Sequence, residues 1–297
     1  MKKQFTIDKR YFLPLLASMQ PLCSKKTIVD ATSNILFNVG NKELIIKSTD
    51  LEISLQSSCI LESSTFVESE SFLISGKRIY DLVKELEGFI NFELKNNTLY
   101  MNAQGIDASF NIKNPQDFPY FPECIENLMH IESKKLLKML ENVSFLIPQN
   151  NSNPAINGLY FEISPEKLTM TSTDGHCLAQ VACPEYKLEK KQSWLLPRKT
   201  VFELKKLIEN SNDTTIFLGT CENQIVFSGN LFNFFSKLLI HQFPEYHPIL
   251  NKDSFVSATI DRAMIIKTLR RTTCLLSGQF LATKFTFNKT TLNVSIH

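Results

Sequence analysis

The stretch LTMTSTDGHCL at residues 168–178 places Asp174 two positions before His176, a carboxylate and an imidazole close enough for acid–base or metal chemistry. A hydrolase built on this pair would also need a nucleophile, and a zinc site would need further ligands at workable spacing. The sequence offers no phosphate-cradling glycine motif, no repeated carboxylate pair and no nucleophile elbow to go with them. The competing assignment is a turn. Asp can accept hydrogen bonds from backbone two residues on, and Gly175 takes a positive φ at no steric cost. A weaker echo, LIIKSTDL at residues 44–51, has the same Ser-Thr-Asp ending but is followed by Leu51 and Glu52 in place of Gly175 and His176. An Asp that recurs without its His points to a turn-former, which leaves a hydrolase using Asp174 and His176 as the lesser alternative.

Both runs alternate apolar and polar residues up to the triplet, as a half-buried strand does on reaching a turn. The repetition extends along the chain. Residues 5–19 (FTIDKRYFLPLLASM), 129–143 (MHIESKKLLKMLENV) and 258–272 (ATIDRAMIIKTLRRT) each join a strand end and Ile-Asp or Ile-Glu to basic residues and a Leu/Ile stripe at helical spacing. Their isoleucines, Ile7, Ile131 and Ile260, lie 124 and 129 residues apart, a spacing suited to tandem domains rather than a solenoid. A second family, residues 72–86 (FLISGKRIYDLVKEL) and 195–209 (LLPRKTVFELKKLIE), repeats a strand, basic residues and an amphipathic helix. The copies leave through DFPY at 117–120 and QFPEY at 242–246. This pattern predicts an α+β fold of tandem antiparallel domains, each with two helices on one sheet face, over residues 1–124, 125–249 and 250–297. The third is expected to hold only its first helix and a strand pair, and so to expose apolar surface and fray. Residues 149–153 (QNNSN) read as a mobile polar loop.

With 43% apolar residues, nine Gly and twelve Pro, the composition is that of an ordered globular protein. Seven cysteines without a C-x-x-C pair support neither a disulfide framework nor a zinc ribbon, and read as small buried residues in a reducing compartment. Asp8, Lys9 and Arg10 interrupt the N-terminal apolar run, and no window reaches 18 apolar residues, so a cytoplasmic protein is expected. The net charge is only +2, yet the five predicted helices concentrate bases, among them Lys77, Arg78, Lys134, Arg198, Lys199, Arg270 and Arg271. Cations repeated at equivalent helix starts suit phosphate backbones rather than base edges, which implies salt-sensitive and sequence-blind contact.

The motifs FTIDKRYFLPLL, KSTDLEISL, NGLYFEI followed by TSTDGHCLA, PRKTVFELKKLI and FPEYHPIL span the chain in an order that resembles the beta sliding clamp family, the ring-shaped processivity subunit of bacterial replicative DNA polymerase. The resemblance implies a non-catalytic homodimeric ring without cofactor, metal or exonuclease activity. Its partners would be duplex DNA of any sequence, the polymerase catalytic subunit, the clamp loader and other proteins bearing a short clamp-binding motif. Carried over by position, Lys25, Lys77, Asn150, Arg198 and Lys199 would contact DNA. Ile156, Thr173, Gly175, His176, Leu178, Pro244 and Ile249 would line a peptide groove. Phe110 and Ile112 would meet Leu275 and Leu276 of another chain at the ring closure. Cys177 and Pro248 stand where the family often carries Arg, so a less basic groove is expected. A shortened or fragmentary chain that binds partner peptides without closing a ring is the other alternative.

Overall fold

Alternation at the N-terminus becomes the strand Lys3–Asp8, in which Phe5 and Ile7 are buried and Gln4 and Thr6 remain partly exposed. It passes directly into helix α1, Lys9–Cys23, whose stripe of Phe12, Leu16, Met19 and Leu22 is buried. Three strands follow, Asn34–Val39, Glu43–Thr49 and Ile53–Ile60. The sequence of elements then repeats as Glu70–Ser75, helix α2 (Gly76–Lys84), and the strands Phe89–Lys95, Thr98–Ala103 and Ile106–Asn111. The second copy contains Glu126–Glu132, helix α3 (Ser133–Ser144), Gly158–Ile163, Leu168–Thr173 and Leu178–Cys183. It closes with Gln192–Pro197, helix α4 (Arg198–Asn210), Thr215–Cys221, Gln224–Ser228 and Phe232–Lys237. The building block is therefore a half made of one strand, one helix and three strands, used four times. The computed structural model describes residues 2–23, 30–122, 125–251, 256–276 and 282–296.

Halves are joined by exchange of their leading strands. Lys3–Asp8 pairs antiparallel with Phe89–Lys95 of the other half, and Glu70–Ser75 pairs with Asn34–Val39. The second copy does the same: Glu126–Glu132 pairs with Thr215–Cys221, and Gln192–Pro197 with Gly158–Ile163. Each copy thus has two sheets where the sequence pattern suggests one, because alternation marks a strand's buried face but not its neighbour. Helix α1 packs on α2 and α3 on α4. Gly76, the first residue of α2, is needed for that approach, since a Cβ there would lie 2.9 Å from Cys23 Sγ. Phenylalanines fill the first core: Phe12 stands edge-on to Phe37 and Phe92 at 6.1 and 6.0 Å, and Phe5 stacks on Phe92 at 4.8 Å.

The copies fuse through their sheets. Phe232–Lys237 pairs antiparallel with Ile53–Ile60, Phe234 opposite Leu55 and Ser236 opposite Ile53, which makes one eight-stranded sheet. A five-stranded sheet ends at Ile106–Asn111 and a four-stranded sheet at Leu178–Cys183. Contacts divide the chain into two units, Met1–Pro244 and Glu245–His297, the first holding both complete copies. The second unit contains helix α5 (Arg262–Leu275) and the strand pair Thr283–Phe287 and Leu292–Ile296. Asp261 caps α5, its Oδ1 accepting from Met264 N at 2.7 Å. No residue of α5 is buried, and Met264, Leu275 and Phe287 are exposed.

The cysteines divide. Cys23, Cys59 and Cys221 are buried as expected, and burial pushes the thiols of Cys23 and Cys59 up to about 12. Cys177 and Cys274 are exposed instead, since one sits on a turn and the other on the uncovered α5. Phe12→Ala removes a fully buried ring against two others and is expected to lower stability by about 3–5 kcal/mol in urea unfolding. A loss under about 1 kcal/mol would mean that the first core is not organised around this side chain.

Candidate peptide groove and nucleic-acid interface

The Asp174 turn is built from its own side chains. Thr173 Oγ1 donates to Cys177 O at 2.6 Å and accepts from Gly175 N at 3.1 Å. Asp174 Oδ1 accepts from Cys177 N at 2.7 Å and His176 N at 2.9 Å, and these two N–H groups hold its carboxyl below the usual range. The first copy repeats the arrangement bond for bond. Thr49 Oγ1 donates to Ile53 O at 2.9 Å and accepts from Leu51 N at 3.0 Å, while Asp50 Oδ1 accepts from Glu52 N at 3.0 Å and Ile53 N at 2.8 Å. Both turns need a positive φ at the residue after Asp: Gly175 adopts +93°, and Leu51 is forced to +75°. Asp174 is a turn-former, with one carboxylate oxygen committed to backbone. Among the described residues no group of three His, Cys, Asp or Glu side chains could hold a metal ion.

Around this turn lie several of the residues expected at a groove. Gly175 and His176 are exposed, Thr173 and Leu178 half-buried. Ile156 is buried on a short turn, Pro154–Ile156, with its Cδ1 3.9 Å from where a Gly175 Cβ would stand. The polar loop before it is hydrogen-bonded through its own side chains. Asn151 N donates to Asn157 Oδ1 at 2.8 Å, Asn157 Nδ2 to Asn151 O at 3.0 Å, and Ala155 N to Asn153 Oδ1 at 3.0 Å. Asparagine side chains thus stitch the loop that presents Ile156. Pro244 is exposed and follows Phe243, whose ring stacks on Tyr160 at 5.1 Å. Ile249 belongs to the second unit, exposed on the turn His247–Leu250 that also holds Pro248.

Tyr160 and Phe243 were not found from the sequence. Tyr160 OH donates to Glu162 Oε2 at 2.9 Å, and Lys191 Nζ reaches the same oxygen at 2.8 Å. Burial raises the Tyr160 phenol. The only available signal was that Tyr160 and Glu162 share one face of their strand, which does not reveal that the exit segment folds back onto it.

The basic residues separate into two groups. Lys77, Arg78 and Lys84 on α2, Lys134 on α3 and Asn150 on its loop are exposed, while Lys25 lies outside the described residues. Arg198 and Lys199 are turned onto the protein instead of standing free for phosphate. Arg198 Nη1 donates to Ile147 O, and its guanidinium lies 4.3 Å from the Phe202 ring centre. Lys199 pairs with Asp50 Oδ2 of the first copy, their side chains 22% and 4% exposed. The fusion of the copies brings this nearly buried carboxylate to Lys199, and a charge so placed requires a partner. Lys9 is likewise engaged, donating to the carbonyls of Lys84 and Leu86. At the first sheet's edge, Phe110 is 8% exposed and Ile112 half-buried; Leu275 is exposed and Leu276 half-buried in the second unit.

Comparison with known proteins matches the chain to the DNA polymerase III beta subunit. Residues 3–122 match the model for the DNA polymerase III beta subunit N-terminal domain, and residues 130–245 that for its central domain. The beta sliding clamp of Chlamydia pneumoniae is 26% identical over 96% of this chain and 77% of its own length. That of Pseudomonas putida is 27% identical over 93% of this chain and 76% of its own. Among solved structures, the DNA polymerase III subunit beta from Pseudomonas aeruginosa superposes with a TM-score of 0.87 at 23% identity, covering 98% of this chain and 80% of that one. The beta chain from Streptococcus pneumoniae gives 0.89 at 19% identity, covering 99% and 80%.

The left-handed turn position can be tested from both sides. Leu51→Gly is expected to raise the melting temperature by relieving about 1–2 kcal/mol of backbone strain, less the entropy glycine loses on folding, and Gly175→Ala to lower it. Acid should undo the Asp174 turn. Because its folded-state pKa lies below the ordinary 3.8, the stabilisation is present above that pH and lost as pH falls through the lowered value. Amide exchange at His176 and Cys177 should accelerate there, and unchanged protection down to full protonation would refute the mechanism.

Proposed function

The chain belongs to the DNA polymerase III beta subunit family, the beta sliding clamps, which are non-catalytic processivity factors of DNA replication, and from that premise we propose how its surfaces divide the work. The observation that carries the proposal is the fusion of neighbouring copies through one continuous sheet, Phe232–Lys237 on Ile53–Ile60. Copies joined edge to edge by backbone hydrogen bonds are held at an inextensible joint, and copies that closed into a ring would hold DNA by topology rather than affinity. The boundaries 1–124, 125–249 and 250–297 are proposed as successive clamp domains along the chain. The compartment proposed is the cytoplasm.

Duplex DNA of any sequence is the proposed cargo, met by Lys25, Lys77 and Asn150. Arg198 and Lys199 are assigned a supporting role, because their charges are engaged within the protein. The groove is proposed to take a short linear motif from the polymerase catalytic subunit, the clamp loader and other replication or repair proteins. Ile156 and Leu178 would supply its apolar floor, Thr173, Gly175 and His176 its rim, and Pro244 would contribute beside them. Cys177 in place of a basic residue makes acidic motifs the weaker ligands. Ring closure is proposed at the free edge carrying Phe110 and Ile112, with Leu275 and Leu276 of another chain opposite. The hydrolase alternative is not favoured, since the family is non-catalytic and Asp174 serves its turn. The peptide-binding chain without a ring is not favoured either.

Loading onto a nicked circular duplex decides the matter. Protein should stay on the circle at high salt and leave when the circle is linearised; equal release from both would end the clamp proposal. Lys77→Ala should reduce the salt slope of DNA binding by about 1, and His176→Ala should weaken motif binding about tenfold without changing retention on circles.

A further inference from the structure

Leu159, Phe161 and Ile163 of the strand Gly158–Ile163 are buried in the core, so Gly158, Tyr160 and Glu162 occupy its other face. On the two neighbouring strands Leu168 and Met170, then Ala179 and Val181, belong to or pack against the same core. Alternation therefore puts Thr171, Thr173 and Leu178 on the outer face with Tyr160. Tyr160 stands opposite Thr171, and Thr173 opposite Leu178. Continuing the first register by two residues brings Gly158 level with Thr173 and Leu178. The groove residues and Tyr160 thus form successive rows of one sheet face.

The chain returns to this face after Phe232–Lys237. Leu239 N donates to Leu195 O at 2.9 Å. A Cβ on Gly158 would stand 2.9 Å from Leu239 Cδ1 and 2.5 Å from Leu196 O, an approach that only glycine allows. Four residues later the Phe243 ring, 7% exposed, lies on Tyr160 with the planes 9° and the centres 5.1 Å apart. Between these two points Ile240, His241 and Gln242 are exposed, Ile240 by 98%, so burial of the segment's own middle does not hold it down. Tyr160 is itself oriented, because its OH donates to the nearly buried Glu162 carboxylate that Lys191 also holds.

We infer that Tyr160 is a positioning residue of the peptide groove: by stacking on Phe243 it seats the segment 239–243 on the outer face and so fixes Pro244 beside the row of Gly158, Thr173 and Leu178. The Phe243-Pro244 pair passes this placement on stiffly, since proline fixes its own φ and restricts the residue before it. Tyr160 acts through Phe243 and does not touch the occupant. The assignment rests on the peptide-groove reading and adds to it the device that holds one wall.

The probe is the tightest binder among overlapping short peptides that cover the polymerase catalytic subunit, fluorescein-labelled and titrated against the full chain. Tyr160→Ala and Phe243→Ala should each weaken it about tenfold, the upper worth of an aromatic stack. Tyr160→Phe keeps the ring and loses one hydrogen bond, and should restore affinity to within about threefold of the unaltered chain. Pro244→Ala should weaken binding in the unaltered chain and add little in the Tyr160→Ala chain, whose wall is already unseated. Amide exchange at Leu239 should quicken in Tyr160→Ala while Leu159, Phe161 and Ile163 stay protected, which separates loss of the seat from loss of the fold. Unaltered affinity in Tyr160→Ala, a full-sized Pro244→Ala effect in that background, or equal acceleration of the strand amides overturns the assignment and leaves the groove reading standing. An unaltered chain that binds none of the peptides overturns the groove reading and this assignment with it.

Discussion

Every level of this structure depends on the need of a strand to have both edges satisfied. A lone half, one strand and one helix followed by three strands, cannot meet it, and each half places its leading strand in the sheet of the other. The exchange commits two halves to one core, with α1 on α2 and α3 on α4. The same requirement acts one level up, where Phe232–Lys237 and Ile53–Ile60 convert two sheets into one of eight strands. Backbone hydrogen bonds make such pairing largely indifferent to side-chain detail, which is how halves with little sequence in common exchange strands in the same way.

Side chains at the joint add direction. Asp50 spends one oxygen on its own turn and the other on Lys199, so the turn, the sheet edge and the start of α4 are held together at one place. Removing either partner would leave a poorly solvated charge, a larger penalty than the pair contributes by attraction alone. This explains why the bases at the α4 start do not simply face solvent. Those of α2, Lys77, Arg78 and Lys84, do face solvent.

In the second copy the turn bears Gly175 and His176 beside Ile156 rather than being covered by a neighbouring strand. One device serves as a fastener in the first copy and as a presented surface in the second. Leu51 illustrates the cost of such reuse: the fold demands a left-handed residue at both places, and only the second copy has the glycine that adopts it freely.

Much of this was legible in the residues themselves. Alternation and helical stripes located the strands and helices, the matching helix entries at Ile7 and Ile131 marked the repeated element order, and the recurrence of Asp50 and Asp174 without a second His identified a turn rather than a reactive pair. These are local properties, determined by side-chain period and by what Asp and Gly can do within four residues. What the sequence could not express were relations between distant segments: the strand exchange, the sheet joint, Lys199 on Asp50, Arg198 on Ile147 and Phe243 on Tyr160. A lysine at a helix start has the same local signature whether it meets phosphate or a buried carboxylate. Only the tertiary structure decides which, because the partner is supplied from 149 residues away along the chain.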